Sequence, residues 1–210
     1  MSQKIHVIHV GKCAGCTVSK ELALNNIDAG RFHIRKPVYR SDNKYVILLR
    51  NPIQRFISAF YWRYHLVCDA KKQQDKILGE KEILSKYKTV DNLAKDLEFN
   101  ENIFNGTKKS RNYVRHLKED LNFYLRDFVE ICPKENVVGV ICTETLKDDM
   151  KRLFNINSTL HRTKNEGYNK SISGDSYKIL KSYLKKDYDI IDRLHERGWI
   201  DDNKYQFLRK

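Results

Sequence analysis

The run Ile5-His6-Val7-Ile8-His9-Val10 passes directly into Gly11-Lys12-Cys13-Ala14-Gly15-Cys16-Thr17, and a helix-compatible segment, Val18 to Asn25, follows. An apolar, β-prone run that turns through small residues into a helix restricts the fold sharply. It specifies the strand–loop–helix unit of an α/β protein. At such a junction the unpaired amides of the helix start and the positive end of its dipole face the loop. Gly15 lets the backbone come close to an anion, Thr17 adds a hydroxyl donor, and Lys12 adds a mobile full charge.

The rest of the chain repeats the alternation. Residues 4–10 read as a buried strand and 17–27 as a helix, with a short extended piece at Phe32–Ile34. Tyr45–Leu49 is a further buried strand. Asn51 is placed to cap a helix with Pro52 in its first position, running to about Val67. Residues 70–98 are polar and mostly helical with a break at Gly79, and 70–110 reads as a helical insertion or lid. Tyr113, Leu117, Leu121, Tyr124 and Phe128 predict an amphipathic helix over 110–131, with Arg111 and Arg115 on one face. Val137–Cys142 is another buried strand with a helix over Glu144–Phe154. After the polar loop 155–174, one last helix is expected over Tyr177–Glu196, then a short tail. Strands alternating with helices predict a single domain, 1–210, with a three-layer α/β/α fold around a central parallel sheet.

The 210 residues suffice for such a core. No run reaches the ~18 apolar residues that a spanning helix needs, and no secretory signal is visible. The expectation is a soluble cytoplasmic protein with no membrane partner. Forty Lys+Arg against 27 Asp+Glu give a net charge of +13, which favours anionic ligands. Neither zinc-finger spacing nor an RNA-recognition aromatic signature accompanies that charge, so no specific nucleic acid is expected. The P-loop pattern G-x-x-x-x-G-K-[ST] is absent, because Lys12 precedes the glycine. Five widely spaced cysteines do not form a secreted disulfide framework, and no metal-ligand cluster stands out.

The second strand ends in Arg50-Asn51-Pro52-Ile53-Gln54-Arg55-Phe56-Ile57-Ser58. Arg50 falls at a strand's C-terminal end, where open α/β sheets bind ligands, and it suits a bidentate phosphate contact. Together the two blocks resemble the sulfotransferases that use 3′-phosphoadenosine-5′-phosphosulfate (PAPS), and most closely their carbohydrate-modifying branch. Lys12, Ala14, Gly15 and Thr17 match that family's 5′-phosphosulfate loop, a P-loop-like strand–loop–helix site. Arg50, Pro52, Arg55, Phe56 and Ser58 match its 3′-phosphate motif. Weaker echoes occur at Val138-Gly139-Val140 with Glu144, and over His161–Ser171. Cys13 and Cys16 stand where the family usually has hydroxyl residues, and a thiol is the weaker donor.

The resemblance implies transfer of a sulfuryl group from PAPS to an acceptor hydroxyl or amine, without a metal. The acceptor it suggests is a carbohydrate, an anionic glycan or a small hydroxylated metabolite. Lys12 would stabilise the departing phosphate. The loop Cys13 to Val18 would hold the 5′-phosphate, chiefly through the amides of Gly15, Cys16, Thr17 and Val18. Arg50 and Ser58 would hold the 3′-phosphate, with Lys164 and Lys170 closing over the same end. His33 is the first candidate for the base that takes the acceptor proton, and Asp28 and His9 are lesser ones. Arg55 reads as structural rather than as a ligand. A second reading comes from Cys13-Ala14-Gly15-Cys16 itself: a C-x-x-C at a helix start is the dithiol of thioredoxin-like oxidoreductases. A redox switch laid over a sulfotransferase would use the same two thiols.

Overall fold

The structure, a computed structural model, describes residues 4–107, 109–157 and 167–210. The chain divides into two compact units, one of residues 1–52, 119–164 and 187–210, the other of 53–118 and 165–186.

The first unit holds the sheet. Four parallel strands, β1 (Lys4–His9), β2 (Ala29–Phe32), β3 (Asn43–Leu49) and β4 (Val137–Cys142), lie in the order β2-β1-β3-β4. His9 pairs with Leu48 and Ile8 with Phe32, so β1 and β3 form the middle of the sheet. Tyr45 to Leu49 are all fully buried, which explains why β3 reads as an unbroken apolar run rather than an alternating one. This confirms an α/β fold on a parallel sheet. β2 begins earlier than Phe32, pairing with β1 from Ala29, and Gly30 is required within it: a Cβ at that position would come within 2.4 Å of the His6 ring.

Helix α1 (Gly15–Leu24) crosses from β1 to β2, and α2 (Pro52–Tyr64) starts directly after β3. Its expected extension to Val67 is replaced by a π-helical turn, His65–Asp69. In the second unit, α3 (Glu80–Tyr87) starts after a left-handed Gly79, and α4 (Val90–Phe99) is capped by Thr89. The buried core of that unit includes Phe56, Phe60, Leu84, Leu93 and Leu180. Arg63 and Glu80 are also fully buried there, with two guanidinium–carboxylate bonds of 2.8 and 2.6 Å.

The helix expected over 110–131 is shorter. Helix α5 spans Leu121–Ile131, with Asp120 accepting the Phe123 amide as its cap. Residues 110–120 form turns, with left-handed Asn112 and His116 (φ 62° and 67°). Arg111 and Arg115 therefore share no helix face. Along α5, Leu121, Tyr124, Leu125, Phe128 and Val129 are buried at i, i+3, i+4, i+7 and i+8, each contributing about 1.5–3 kcal/mol by leaving water.

Helix α6 (Leu146–Phe154) follows β4. Its Asp149 is buried and accepts from the Cys142 amide (2.9 Å), Thr145 Oγ1 (2.8 Å), Arg152 (3.0 Å) and Lys204. Burial raises this carboxyl's pKa, but the bonds from Lys204, Cys142, Thr145 and Arg152 outweigh it and hold the group below the usual range. The last expected helix is two: α7 (Gly174–Tyr183), which packs on α4, and α8 (Lys185–Glu196), separated at Leu184. The expected tail is also helical. In α9 (Asp202–Arg209), Asp201 caps the start and Leu208 is fully buried.

Candidate functional site

After β1 the chain turns with Lys12 and Ala14 both left-handed (φ 70° and 56°). Between them the Cys13 amide donates to the Val10 carbonyl at 3.2 Å, and the Cys13 thiol is buried against the Gly11 carbonyl. Helix α1 then begins at Gly15 with Ala14 as its N-cap. Ala14 offers no capping side chain, and the first turn carries no acid. The Thr17 and Val18 amides donate to the Ala14 carbonyl at 3.0 and 3.1 Å. Ahead of them, the amides of Ala14, Gly15 and Cys16 meet no backbone acceptor among the described residues. A helix start with neither cap nor acid keeps its partial positive charge, roughly half a unit. Alternating-handed backbone turns successive amides toward one point, the geometry of an anion nest. Cys16 is exposed, Lys12 half-buried and Thr17 buried; the Val18 side chain belongs to the core.

The position of this nest in the sheet matters as much as its chemistry. β1 leads through α1 to β2 on one side, and β3 lies on its other side and continues toward β4. The chain order thus reverses between β1 and β3, the switch point outside whose strand ends such sheets bind ligands. Lys12 follows β1 and Arg50 follows β3, so both stand at that crevice. Arg50 is a quarter exposed, with Nε 3.7 Å from Glu144 Oε1. Glu144 also accepts the Asn51 amide at 3.3 Å. Burial pushes the Glu144 carboxyl up, and Arg50 and the Asn51 amide work against that. The Asn51 side chain anchors the strand end by donating to the Leu208 carbonyl at 3.1 Å.

Two histidines complete the strand ends. His9 is buried with its ring directly over Gly15, where a Cβ would lie 1.9 Å from the ring. Glycine is therefore required at the first residue of α1. The His33 ring stacks on His9, centroids 4.1 Å apart and planes 18° apart. His33 Nδ1 lies 3.3 Å from the His9 carbonyl. A carbonyl only accepts, so Nδ1 carries the proton and the neutral ring has its lone pair on Nε2. The next residue, Ile34, is left-handed at φ 57°, an outlier for a β-branched side chain. Its amide is held by the Tyr124 hydroxyl at 2.9 Å.

Other sequence candidates fall elsewhere. Asp28 precedes β2 and so lies at the opposite end of the strands from Lys12 and Arg50. Arg55 is fully buried and donates to the His116 carbonyl at 2.7 Å, as a structural residue does. Ser58 is half-buried on the second turn of α2, in the second unit, and Lys170 is exposed in that unit. Lys164 lies outside the described residues. All five cysteines are free thiols, with Cys13 buried and Cys16 exposed. Among the described residues no group of three or more His, Cys, Asp or Glu could hold a metal, and no helix is long and apolar enough to cross a membrane. The roles of Glu144 and Asn51 at the β3 end, and the packing of His9 on Gly15, went unread in the sequence. The signal for the last is a glycine beginning a helix six residues past the end of a strand.

Burial, then the charges of His33, Arg31 and Lys12, lower the His9 pKa to about 3. The unfolded chain binds this proton near pH 6.5 and the folded chain does not. Stability from this group is therefore complete above pH 6.5 and lost as pH falls toward about 3, at about 1.4 kcal/mol per pH unit. Urea unfolding between pH 7 and 5 should show that slope, and His9→Asn should remove it. A pH profile unchanged by the substitution would contradict the burial of His9.

No family model matches the chain, and neither a curated protein nor a solved structure is significantly similar to it.

Proposed function

We propose that this protein is a PAPS-dependent sulfotransferase acting on a hydroxyl, or an amine, of a carbohydrate or small hydroxylated acceptor. The observation that carries the reading is the pairing at the switch point: an uncapped, acid-free helix start with Lys12 after β1, beside Arg50 after β3. One end supplies amides and a lysine cation for a phosphosulfate. The other supplies a guanidinium for a second phosphate. A nucleotide phosphorylated at both its 5′ and 3′ positions matches two separated cationic points where a simple nucleotide matches one. The three-layer arrangement and the phosphosulfate role of the loop belong to this proposal.

PAPS supplies an activated sulfuryl group when bound. The Ala14, Gly15 and Cys16 amides hold the 5′-phosphate end. Lys12 stabilises the negative charge that builds on the oxygen leaving sulfur, the kind of electrostatic assistance that dominates such transfers. The sulfur–oxygen bond to phosphate breaks as the bond to the acceptor oxygen forms. The acceptor proton passes to Nε2 of His33, which the His9 carbonyl keeps in the right tautomer. Arg50, steadied by Glu144, takes the 3′-phosphate. Ser58, Lys164 and Lys170 keep the roles that the resemblance gives them.

Incubation with ³⁵S-labelled PAPS and pooled mono- and oligosaccharides tests the reaction. Label should move to an acceptor, and His33→Ala should slow the transfer about 100-fold. Failure of every pool to receive label, with no release of 3′-phosphoadenosine 5′-phosphate, would overturn the reading.

A further inference from the structure

A cavity of about 460 Å³ lies in the first unit, along the outer edge of β4 and away from the strand ends that carry Lys12 and Arg50. Its wall includes Lys134, Arg152, Lys204, Trp199 and the β4 residues Val137 to Val140. β4 is the last strand of the sheet, so one side of its backbone has no strand partner. The side that faces outward can be identified. The Thr143 amide donates inward to the Leu49 carbonyl at 3.0 Å, whereas the Cys142 amide is taken by the Asp149 carboxylate at 2.9 Å. Alternation then turns the amide and carbonyl of Val140 outward as well. Val138 is unpaired for another reason. Tyr45 opposes Val137 and Val46 opposes Gly139, so Val138 is the extra residue of a bulge. Asp149 thus closes the upper edge, and the part that lines the cavity stays open.

The charges and donors point one way. Lys134, Arg152 and Lys204 stand against a single lining carboxylate, Asp201, which is engaged by the Lys204 amide as the cap of α9. Arg152 and Lys204 share one further carboxylate, Asp149. The Lys134 ammonium lies over Gly198, 2.8 Å from where a Cβ would be. Trp199 is only 8% exposed, and its indole N–H is buried without a hydrogen-bond partner. Its ring is fixed by an edge contact with Phe128 and by Arg197 at 5.2 Å. The volume exceeds that of a lone oxyanion and falls in the range of small-molecule sites. The outward carbonyl of Val140 provides an acceptor for hydroxyl groups.

The geometry points to a second ligand site here, for a sugar-sized hydroxylated molecule that carries an oxyanion. Lys134 and Arg152 take the oxyanion, and the open edge of β4 takes the hydroxyls. The site is independent of the proposed sulfotransferase chemistry.

Trp199 is one of two tryptophans in the chain, so a Trp62→Phe background makes its fluorescence a direct reporter. The probes are glucose 6-phosphate, glucose 6-sulfate and glucuronate, with glucose and inorganic phosphate as component controls. At least one probe should saturably change the emission and bind tenfold or more tightly than either component. Lys134→Ala, an exposed position, should weaken that binding about tenfold without changing the thermal melting point. No saturable change with any of the three would overturn the site. So would inorganic phosphate binding as tightly as the sugar derivatives, or binding indifferent to Lys134→Ala.

Discussion

Lys12→Ala should cut sulfuryl transfer about 100- to 1,000-fold, the usual consequence of removing one group aimed at charge that develops in the transition state. Binding of the product nucleotide should change far less, within about tenfold. The split follows from the site's construction. In the proposed site the Ala14, Gly15 and Cys16 amides, which meet no backbone acceptor among the described residues, would hold the ground-state phosphate whether or not the lysine is present. Lys12 matters most when the sulfur–oxygen bond is breaking. Lys12→Arg should recover part of the rate, since the charge is kept while its shape and reach change. Single-turnover transfer from labelled PAPS separates the two quantities. Equal losses in binding and transfer would reduce Lys12 to an ordinary phosphate contact.

Glu80→Ala should destabilise the second unit by about 3–5 kcal/mol, because it strands a buried guanidinium. Arg63 is 1% exposed and Glu80 0%. The carboxylate takes Arg63 Nε at 2.8 Å, the second Arg63 nitrogen at 2.6 Å and the Arg115 amide at 3.0 Å. The third guanidinium nitrogen is held by Gln73 at 2.7 Å. One acid therefore ties α2, α3 and the 110–120 turns together. Trp62 lies in this unit and Trp199 in the other, so urea unfolding of a Trp199→Phe background reads the second unit by itself. Glu80→Gln keeps two acceptor lone pairs and should cost less. A loss under about 1 kcal/mol for Glu80→Ala would mean that the pair is solvated rather than buried.

The same network explains where the sequence misleads. Tyr113 and Leu117 continue the three- and four-residue spacing of Leu121, Tyr124 and Phe128, and all five are buried. Spacing alone makes one helix of them. Yet Asn112 and His116 are left-handed, and the Arg115 amide goes to Glu80 rather than to a helix carbonyl. That tertiary bond is invisible in the local pattern. The break at Leu184 is hidden similarly: no glycine or proline marks it, and α7 belongs to the second compact unit whereas α8 from Asp187 onward belongs to the first. Helix α9 leaves little trace in the sequence because its burial rests on Leu208, with too short an apolar stripe to give a helical period.

The strand ends were legible because the strands were. β3 and β4 are near-continuous apolar runs and β1 is β-prone with Ile5, Val7 and Ile8, and the residues just past them, Lys12, Arg50 and Glu144, follow from chain order. The Asn51-Pro52 start of α2 was legible from proline's fixed φ. What no linear reading supplies is the strand order. Only the sequence β2-β1-β3-β4 places Lys12 and Arg50 on adjacent strands at a switch point. The stacking of His33 on His9, with His9 over Gly15, likewise depends on β2 lying beside β1.

Calorimetric titration of the reduced protein with 3′-phosphoadenosine 5′-phosphate, set against AMP, tests the central claim most directly. Micromolar binding of the doubly phosphorylated nucleotide is expected, with AMP weaker by about 10- to 150-fold. That margin is what a charged hydrogen-bonded contact of about 1.5–3 kcal/mol provides, and Arg50→Ala should erase it. Equal affinity for the two nucleotides, or no binding of either, would contradict the account.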